Sequence, residues 1–383
     1  MNYRFLPEDW QHATLVGRIQ TGDGPTPVII KQGRVHDVSR VAPTVSQLLN
    51  QWQGDITGAD LGSVDAVFTQ YCISSAPEYA VQSRSRLLAP FDLQCIKACG
   101  VTFAISTVER VIEERARGDA AMALAIRNAL QERVGGDVRS VKPGSDQAMK
   151  LKQALIADGL WSQYLEVAIG PDAEVFTKSP VLSSVGFGDW IGVREDSVWN
   201  NPEPEVVLAC NAEGKVLGAT LGNDVNLRDI EGRSALLLGK AKDNNASCAI
   251  GPFIRMFDDR FTIDDVRSAV VTIEVVGEEG FTLNGESSMS LISRDPLELV
   301  KQTVSQHQYP DGLALFCGTM FAPTKDRDAP GRGFTHKQGD IVRVASTRLG
   351  MLENKVTSCK QAPPWKFGII ELMRNLAGRG LLQ

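Results

Sequence analysis

The sequence has little histidine, no paired cysteines and no long apolar run, and each shortage removes a class of function. Four histidines in 383 residues, at 12, 36, 307 and 336, show no HxxxH or HExxH spacing, so the usual imidazole zinc sites are excluded and none of the four is assigned a role. As isolated polar residues they are expected to be solvated. The seven cysteines, at 72, 95, 99, 210, 248, 317 and 359, are odd in number and contain no CxxC pair. They are expected to be reduced core thiols rather than a disulfide framework. No stretch approaches the roughly 18 apolar residues of a membrane helix, and MNYRFLPEDWQHATLVGRIQ lacks a basic start followed by an apolar core. A soluble, cytoplasmic protein with no membrane partner is expected. There is no positive excess either: 40 Lys and Arg face 46 Asp and Glu, a net charge of -6, which argues against nucleic acid as a partner. GxGxxG, GxxxxGK[ST] and GxSxG are all absent, which disfavours nucleotide-phosphate loops and a serine nucleophile elbow. No internal repeat or low-complexity tract stands out.

What is present is the composition of an ordinary globular protein, 43% hydrophobic and 22% charged. The run TPVII (26–30), a turn at KQGRVHD and the amphipathic stretch APTVSQLLNQW predict a small α+β domain over residues 1–90. Residues 91–383 are expected to form a second domain. Between 107 and 165 the chain turns rich in Ala, Leu, Glu, Arg and Lys, with apolar residues three and four apart. Two helices are predicted there, TVERVIEERARGDAAMALAIRNALQERVGG and SDQAMKLKQALIADGLWSQYL, joined by a loop at VGGDVRSVKPGS. From about 166 onward short β-type runs follow one another: LEVAIG, AEVFTK, PEVVLAC, VLGATLG, AVVTIEVVG, GLALFCGT and DIVRVAS. The class is therefore α+β, ending in a β-roll or distorted barrel rather than a doubly wound sheet.

The stretch DSVWNNPEPEVVLAC (196–210) sets Glu203 and Glu205 two residues apart, just before an apolar run. Successive strand side chains alternate faces, so the two carboxylates project the same way. Either they lie on a solvated strand face, or a cation sits between them to relieve their repulsion. Pro202 and Pro204 suit the start or edge of a strand. Asp224, in LGNDVNLRDIEG, stands where a third carboxylate can converge. Three carboxylates without neighbouring His or Cys form a hard oxygen set, suited to Mg²⁺, Mn²⁺ or Ca²⁺ rather than zinc, with Mg²⁺ the leading choice.

Several segments agree in order and spacing with one family. VFTKSPVLSSVGFGDWIGVREDSVWNNPEPEVVL, LGNDVNLRD, AKDNNASCAIGPF, LFCGTMFAP and QGDIVRV, spanning roughly 174–345, resemble the fumarylacetoacetate hydrolase superfamily. Upstream, LLAPFDLQCIKACGVTFAIS, ERARGD and the phrase formed by Arg194, Asp196, Ser197, Trp199 and Glu203 to Glu205 resemble the branch containing 2-keto-3-deoxy-D-arabinonate dehydratase. The resemblance implies a mixed β-roll catalytic domain and a Mg²⁺ site, with Mn²⁺ as substitute, held by Glu203, Glu205 and Asp224. It also implies a small 2-oxo sugar acid as substrate and a homodimer or homotetramer. The chain departs from the pattern at Lys242-Asp243-Asn244, where many members have K-S-F, and at Ala104 and Ile105, where the archaeal-type dehydratases are basic.

A 2-oxo acid can chelate a metal through its carboxylate and keto oxygen, so that loss of a C3 proton becomes accessible. Expulsion of the C4 hydroxyl then makes the chain a dehydratase of a 2-keto-3-deoxypentonate, giving 2,5-dioxopentanoate. Attack of water on a distal carbonyl makes it instead a hydrolase of acylpyruvates or fumarylpyruvate-like diketo acids. A third reading is a metal-free protein that senses a sugar acid. Glu174 shares a strand face with Phe176 and Lys178, as a proton shuttle with Lys178 beside the substrate, or as half of a surface ion pair. Lys242 is the family lysine by the register of the ASC-x-x-G-P tail, with Lys240 as its competitor. Gly318 and Thr319 match the family's GT turn for a substrate carboxylate, and also suit a plain strand-end turn. Ser106 is a candidate for substrate hydroxyls. Glu113, Glu114 and Arg115 are expected to open a helical segment, either as a lid or as solvated helix charges.

Overall fold

Two passes of the chain build one large sheet in the computed structural model, which describes residues 3–54, 56–71, 73, 86–123, 126, 141–330 and 332–382. The first pass lays down β1 (Leu15–Thr21), β2 (Gly24–Lys31), β3 (Arg34–Asp37) and β4 (Ala59–Ser63) as an antiparallel meander. β5 (Arg86–Leu88) folds back on β1, and β6 (Cys95–Gly100) begins the second pass. β7 (Glu174–Ser179) pairs with β6, while β8 (Trp190–Val193) leaves for another sheet. β9 (Pro204–Cys210), β10 (Val216–Asp224) and β11 (Cys248–Met256) return to the first. β12 (Val270–Val276) and β13 (Thr282–Ser288) start the second sheet, and β14 (Leu313–Phe316) inserts between β9 and β6. β15 (Ile341–Ser346) and β16 (Gly350–Ser358) complete the second sheet. The first sheet runs β4-β3-β2-β1-β11-β10-β9-β14-β6-β7 and the second β13-β12-β15-β16-β8. Both are mixed, with parallel pairs at β14–β6 and β16–β8. The class is α+β.

β9 explains why the apolar run begins directly after the two glutamates. All seven of its residues are buried. Val206, Leu208 and Cys210 face one core cluster, and Val207 and Ala209 face another. A strand covered on both sides reads as continuous apolar sequence rather than alternation. The expected N-terminal unit joins this core: β1 pairs with β11, and the Phe5 ring packs on Phe187 at 4.9 Å.

The helical region departs from the sequence expectation in three ways. The first helix, Ala104–Arg115, stops well short of the predicted run, because Arg117 (φ 52) and Gly118 (φ 76) turn the chain through left-handed conformations. The second is two helices, Asp146–Ala157 and Gln163–Ile169, separated by Gly159 (φ 66). LEVAIG is helical rather than a strand. Ser162 caps its helix by accepting from the Tyr164 N–H, and Leu165, Ala168 and Ile169 bury one face at helical spacing. At KQGRVHD the turn is confined to its first residues, since Arg34–Asp37 is strand β3. Most of the connecting loop, the end of the first predicted helix and Cys72 lie outside the described residues. The other six cysteines are free, and Cys95 and Cys359 are only partly buried. Among the described residues no helix is long and apolar enough to cross a membrane.

Candidate active site

Two neighbouring strand ends bring the acidic cluster together. Pro204, the first residue of β9, opposes Asn223 of β10, so Glu203 and Glu205 bracket the strand start while Asp224 closes the neighbouring strand. Asn223 Oδ1 accepts the Glu203 N–H at 3.0 Å, and the Asp224 N–H donates to the Glu203 carbonyl at 3.0 Å. The three side chains are buried, and each offers an oxygen within 4.8 Å of the others.

Two lysines answer part of this charge. Lys242, the last residue of the short helix Leu238–Lys242, donates to Glu203 Oε2 at 2.5 Å and Asp224 Oδ2 at 3.0 Å, and its ammonium stands 5.7 Å above the Phe176 ring. Lys240 is exposed and pairs with Asp196 at 3.5 Å, away from the cluster. The sequence reading puts Lys178 beside the substrate. In the structure its side chain is fully enclosed, with the ammonium 2.7 Å from Asp224 Oδ1 and also bonded to the Lys242 carbonyl. Burial pushes Asp224 up, but Lys178 and Lys242 outweigh it and hold the carboxyl below its ordinary range. Burial pulls Lys242 down, and Asp224, Glu203 and Glu231 outweigh that in turn, so it stays cationic.

Glu205 is different. Among the described residues no lysine or arginine pairs with it. The Gly318 N–H donates to its Oε2 at 2.6 Å, which commits that N–H to the cluster rather than to a substrate carboxylate. Burial, then the charges of Asp224 and Glu203, push its carboxyl well above the usual range. A buried carboxylate raised by two like neighbours and lacking its own counter-ion is what a bound dication relieves, so the donor set fits Mg²⁺ or Mn²⁺.

A buried ionic network that the sequence reading missed stands beside the triad. Arg110 donates to Glu203 Oε1 and to Glu113 Oε2 (2.5 Å), and lies 3.1 Å from Glu231 Oε2. Arg228 reaches Glu113 Oε1 at 3.2 Å and Asn201 Oδ1 at 2.9 Å, under the Trp199 ring at 5.6 Å. Glu113 is therefore neither a lid residue nor a solvated helix charge, and it closes its helix rather than opening it. Burial raises its carboxyl to about 7 against the pull of Arg110 and Arg228. Glu114, at the same helix end, accepts from Ser162 and from Gln163 Nε2 (2.9 Å). The available signal was the i, i+3 spacing of opposite charges in Arg110/Glu113 and in Arg228/Glu231, the latter just after Asp224. His336 is also no solvated loop residue. It is buried with Nδ1 3.2 Å from Asp340 Oδ2, and Arg327 pairs with the same carboxylate at 2.6 Å.

The triad, Lys242, Arg110 and Glu231 line a narrow cleft together with Glu174, Phe176, Ser106 and Thr319. Glu174, at the start of β7, is partly exposed, and its carboxyl is raised to about 7 by burial and then by the charge of Glu231. Ser106 Oγ donates to the Phe103 carbonyl at 2.8 Å, and Thr319 Oγ1 to the Phe321 carbonyl at 3.0 Å. Of the nine expected site residues, Lys178 and Gly318 do not line the cleft.

Residues 199–357, which contain the triad, Lys242 and Thr319, match the fumarylacetoacetate (FAA) hydrolase C-terminal family. This part of the chain resembles a fumarylacetoacetate hydrolase domain. The chain is similar in sequence to two curated relatives. One is a 2-dehydro-3-deoxy-D-arabinonate dehydratase of Saccharolobus solfataricus, 32% identical over 179 residues, 47% of this chain and 57% of the relative. The other is a probable 2-keto-3-deoxyxylonate dehydratase of Haloferax volcanii, 30% identical over 195 residues, 51% of this chain and 64% of the relative. The chain thus matches about three fifths of the length of these relatives. In three dimensions it resembles a 2-keto-3-deoxy-D-arabinonate dehydratase complexed with magnesium and 2,5-dioxopentanoate, with a TM-score of 0.63 and 20% identity over 90% of this chain and 99% of that one. At that identity the likeness establishes the hydrolase-domain fold and no more. A 5-carboxymethyl-2-hydroxymuconate delta-isomerase from Mycobacterium smegmatis shares the fold at a TM-score of 0.52 and 19% identity.

Proposed function

We propose that the protein is a Mg²⁺-dependent dehydratase of a 2-keto-3-deoxy sugar acid, of the 2-keto-3-deoxypentonate type, releasing water and 2,5-dioxopentanoate. The observation that carries this reading is the convergence of three buried carboxylates, Lys242 and Glu174 on one cleft. The dehydratase names of both sequence relatives support the choice of reaction.

Glu203, Glu205 and Asp224 would hold Mg²⁺, or Mn²⁺ in its place, which supplies Lewis acidity toward the keto oxygen of a 2-oxo acid. Glu174 takes the proton from C3. Its raised pKa lets it accept a proton near neutral pH and give it up again, here to the C4 hydroxyl as that group departs as water. The 5-hydroxy-2-oxo-3-enoate that results tautomerises to the dioxo acid, a proton moving from C5 to C3 and the C4=C5 enol so formed ketonising to the C5 aldehyde. Lys242, kept cationic by Asp224 and Glu203, opposes the negative charge that develops on the substrate. Thr319 and Ser106, polar on the cleft wall, orient substrate hydroxyls. Lys178 and Gly318 act one step removed, fixing Asp224 and Glu205.

All these groups belong to residues 91–383, which we take as the catalytic unit, with 1–90 as its companion. We read the whole as a cytoplasmic homodimer or homotetramer that binds neither nucleic acid nor membrane, in keeping with its net charge of -6. The apolar side chains Ile370 (63% exposed) and Met373 (53%) on the C-terminal helix Ile369–Gly378 suit burial between copies. The test is to incubate purified protein and Mg²⁺ with a 2-keto-3-deoxypentonate and, separately, with an acylpyruvate. Semialdehyde formation from the first supports the proposal. Pyruvate release from the second, with no semialdehyde from the first, would replace dehydration by carbon–carbon hydrolysis.

A further inference from the structure

Each carboxylate of the triad has one oxygen committed to a donor other than Lys242. Glu203 Oε1 accepts from Arg110, Asp224 Oδ1 faces the Lys178 ammonium at 2.7 Å, and Glu205 Oε2 accepts the Gly318 N–H at 2.6 Å. The other oxygens of the three side chains are Glu203 Oε2 and Asp224 Oδ2, which Lys242 holds at 2.5 and 3.0 Å and a dication would share with it, and Glu205 Oε1. Arg110 is itself wedged in place. It is 6% exposed and holds Glu113 and Glu231 besides Glu203, while Arg228 grips the far oxygen of Glu113. Turning the guanidinium away would leave several buried charges unpaired, which is costly.

We infer that Arg110 determines metal selectivity: by occupying Glu203 Oε1 it restricts that carboxylate to a single ligand oxygen, which favours small six-coordinate Mg²⁺ over Ca²⁺. This rests on the proposed metal site. Ca²⁺ gains from bidentate carboxylates and takes six to eight oxygens, whereas Mg²⁺ accepts single oxygens in near-octahedral array and keeps positions for water or substrate. Nothing in the charge of Arg110 discriminates between the two ions, since a guanidinium repels any dication. Its removal therefore strengthens both by Coulomb's law, and only the ratio of the two affinities reports on the blocked oxygen.

The experiment is isothermal titration calorimetry of the chelator-stripped full chain with Mg²⁺ and, separately, Ca²⁺, for the wild type, Arg110→Met and Arg110→Lys. The wild type should prefer Mg²⁺, and in Arg110→Met the ratio of Ca²⁺ to Mg²⁺ affinity should rise about tenfold as Glu203 becomes free to bind through both oxygens. Arg110→Lys, which keeps the charge but not the forked donor, should move the ratio the same way by less. It stands in should circular dichroism show that Arg110→Met is unfolded. An unchanged ratio in a folded variant, or a wild type that prefers Ca²⁺, overturns the inference while leaving the metal site intact. A wild type that binds neither ion overturns both.

Discussion

Glu174 is the group whose environment most directly sets a pH profile. Its carboxyl stands at about 7 in the fold against 4.5 ordinarily, chiefly through burial. As the acceptor of the C3 proton it must be ionised, so kcat/KM should fall as pH drops through about 7. Glu174→Gln should lower turnover by about 10²- to 10⁴-fold and abolish that limb while leaving metal affinity in place, as steady-state kinetics and calorimetry would show. The stability sign is opposite. A carboxyl whose pKa rises on folding stabilises most below 4.5, and the contribution is lost as pH climbs through about 7. Lys178 makes a different prediction. Its ammonium is enclosed against Asp224, so Lys178→Met leaves that buried carboxylate to Lys242 alone and should cost about 3 kcal/mol in urea unfolding, more than a surface pair is worth. Glu203, Glu205, Asp224 and Lys242 were legible because contiguous motifs carry them. Arg110 was not, because its partners Glu203 and Glu231 come from distant segments and no local pattern joins them. Lys178 was assigned to substrate because period-two alternation names a face and cannot say how deeply it is buried.

The helix Ala104–Arg115 meets the turn of helix Arg228–Glu231 through glycine. A Cβ on Gly118 would run into the Asp229 carbonyl oxygen, and φ 76 already disfavours a side chain there. Asp229 in turn accepts from Ser197 Oγ and the Val198 N–H, both at 2.8 Å, so the segment cannot easily yield. Gly118→Ala should therefore destabilise by more than about 1 kcal/mol in denaturant unfolding and weaken metal binding, since it shifts Arg228 and Glu231 against Glu113 and Arg110. A neutral result would mean that the two helices are not braced as described. The strands AEVFTK, PEVVLAC, VLGATLG and DIVRVAS were readable from β-branched runs between turn residues. LEVAIG was not, because a short apolar run suits helix or strand equally, and here the Ser162 cap and the packing of Leu165 and Ile169 decide for helix.

Across the whole molecule the site depends on long-range pairing. The triad stands on β9 and β10, Glu174 on β7 two strands beyond β14, and Lys242 on a helix outside the sheet. No segment carries the site alone. The β-roll class could be read from the succession of short strands, whereas the joining of β1 to β11 could not, since register between distant strands leaves no mark in local sequence. The most direct measurement is a crystal structure grown with Mn²⁺ and pyruvate, using the anomalous signal of the metal. One peak should appear in the cleft with an oxygen of Glu203, Glu205 and Asp224 each within about 2.3 Å and pyruvate chelating through its carboxylate and keto oxygens. A cleft without a peak at saturating Mn²⁺, or a metal held without one of the three carboxylates, would contradict the account.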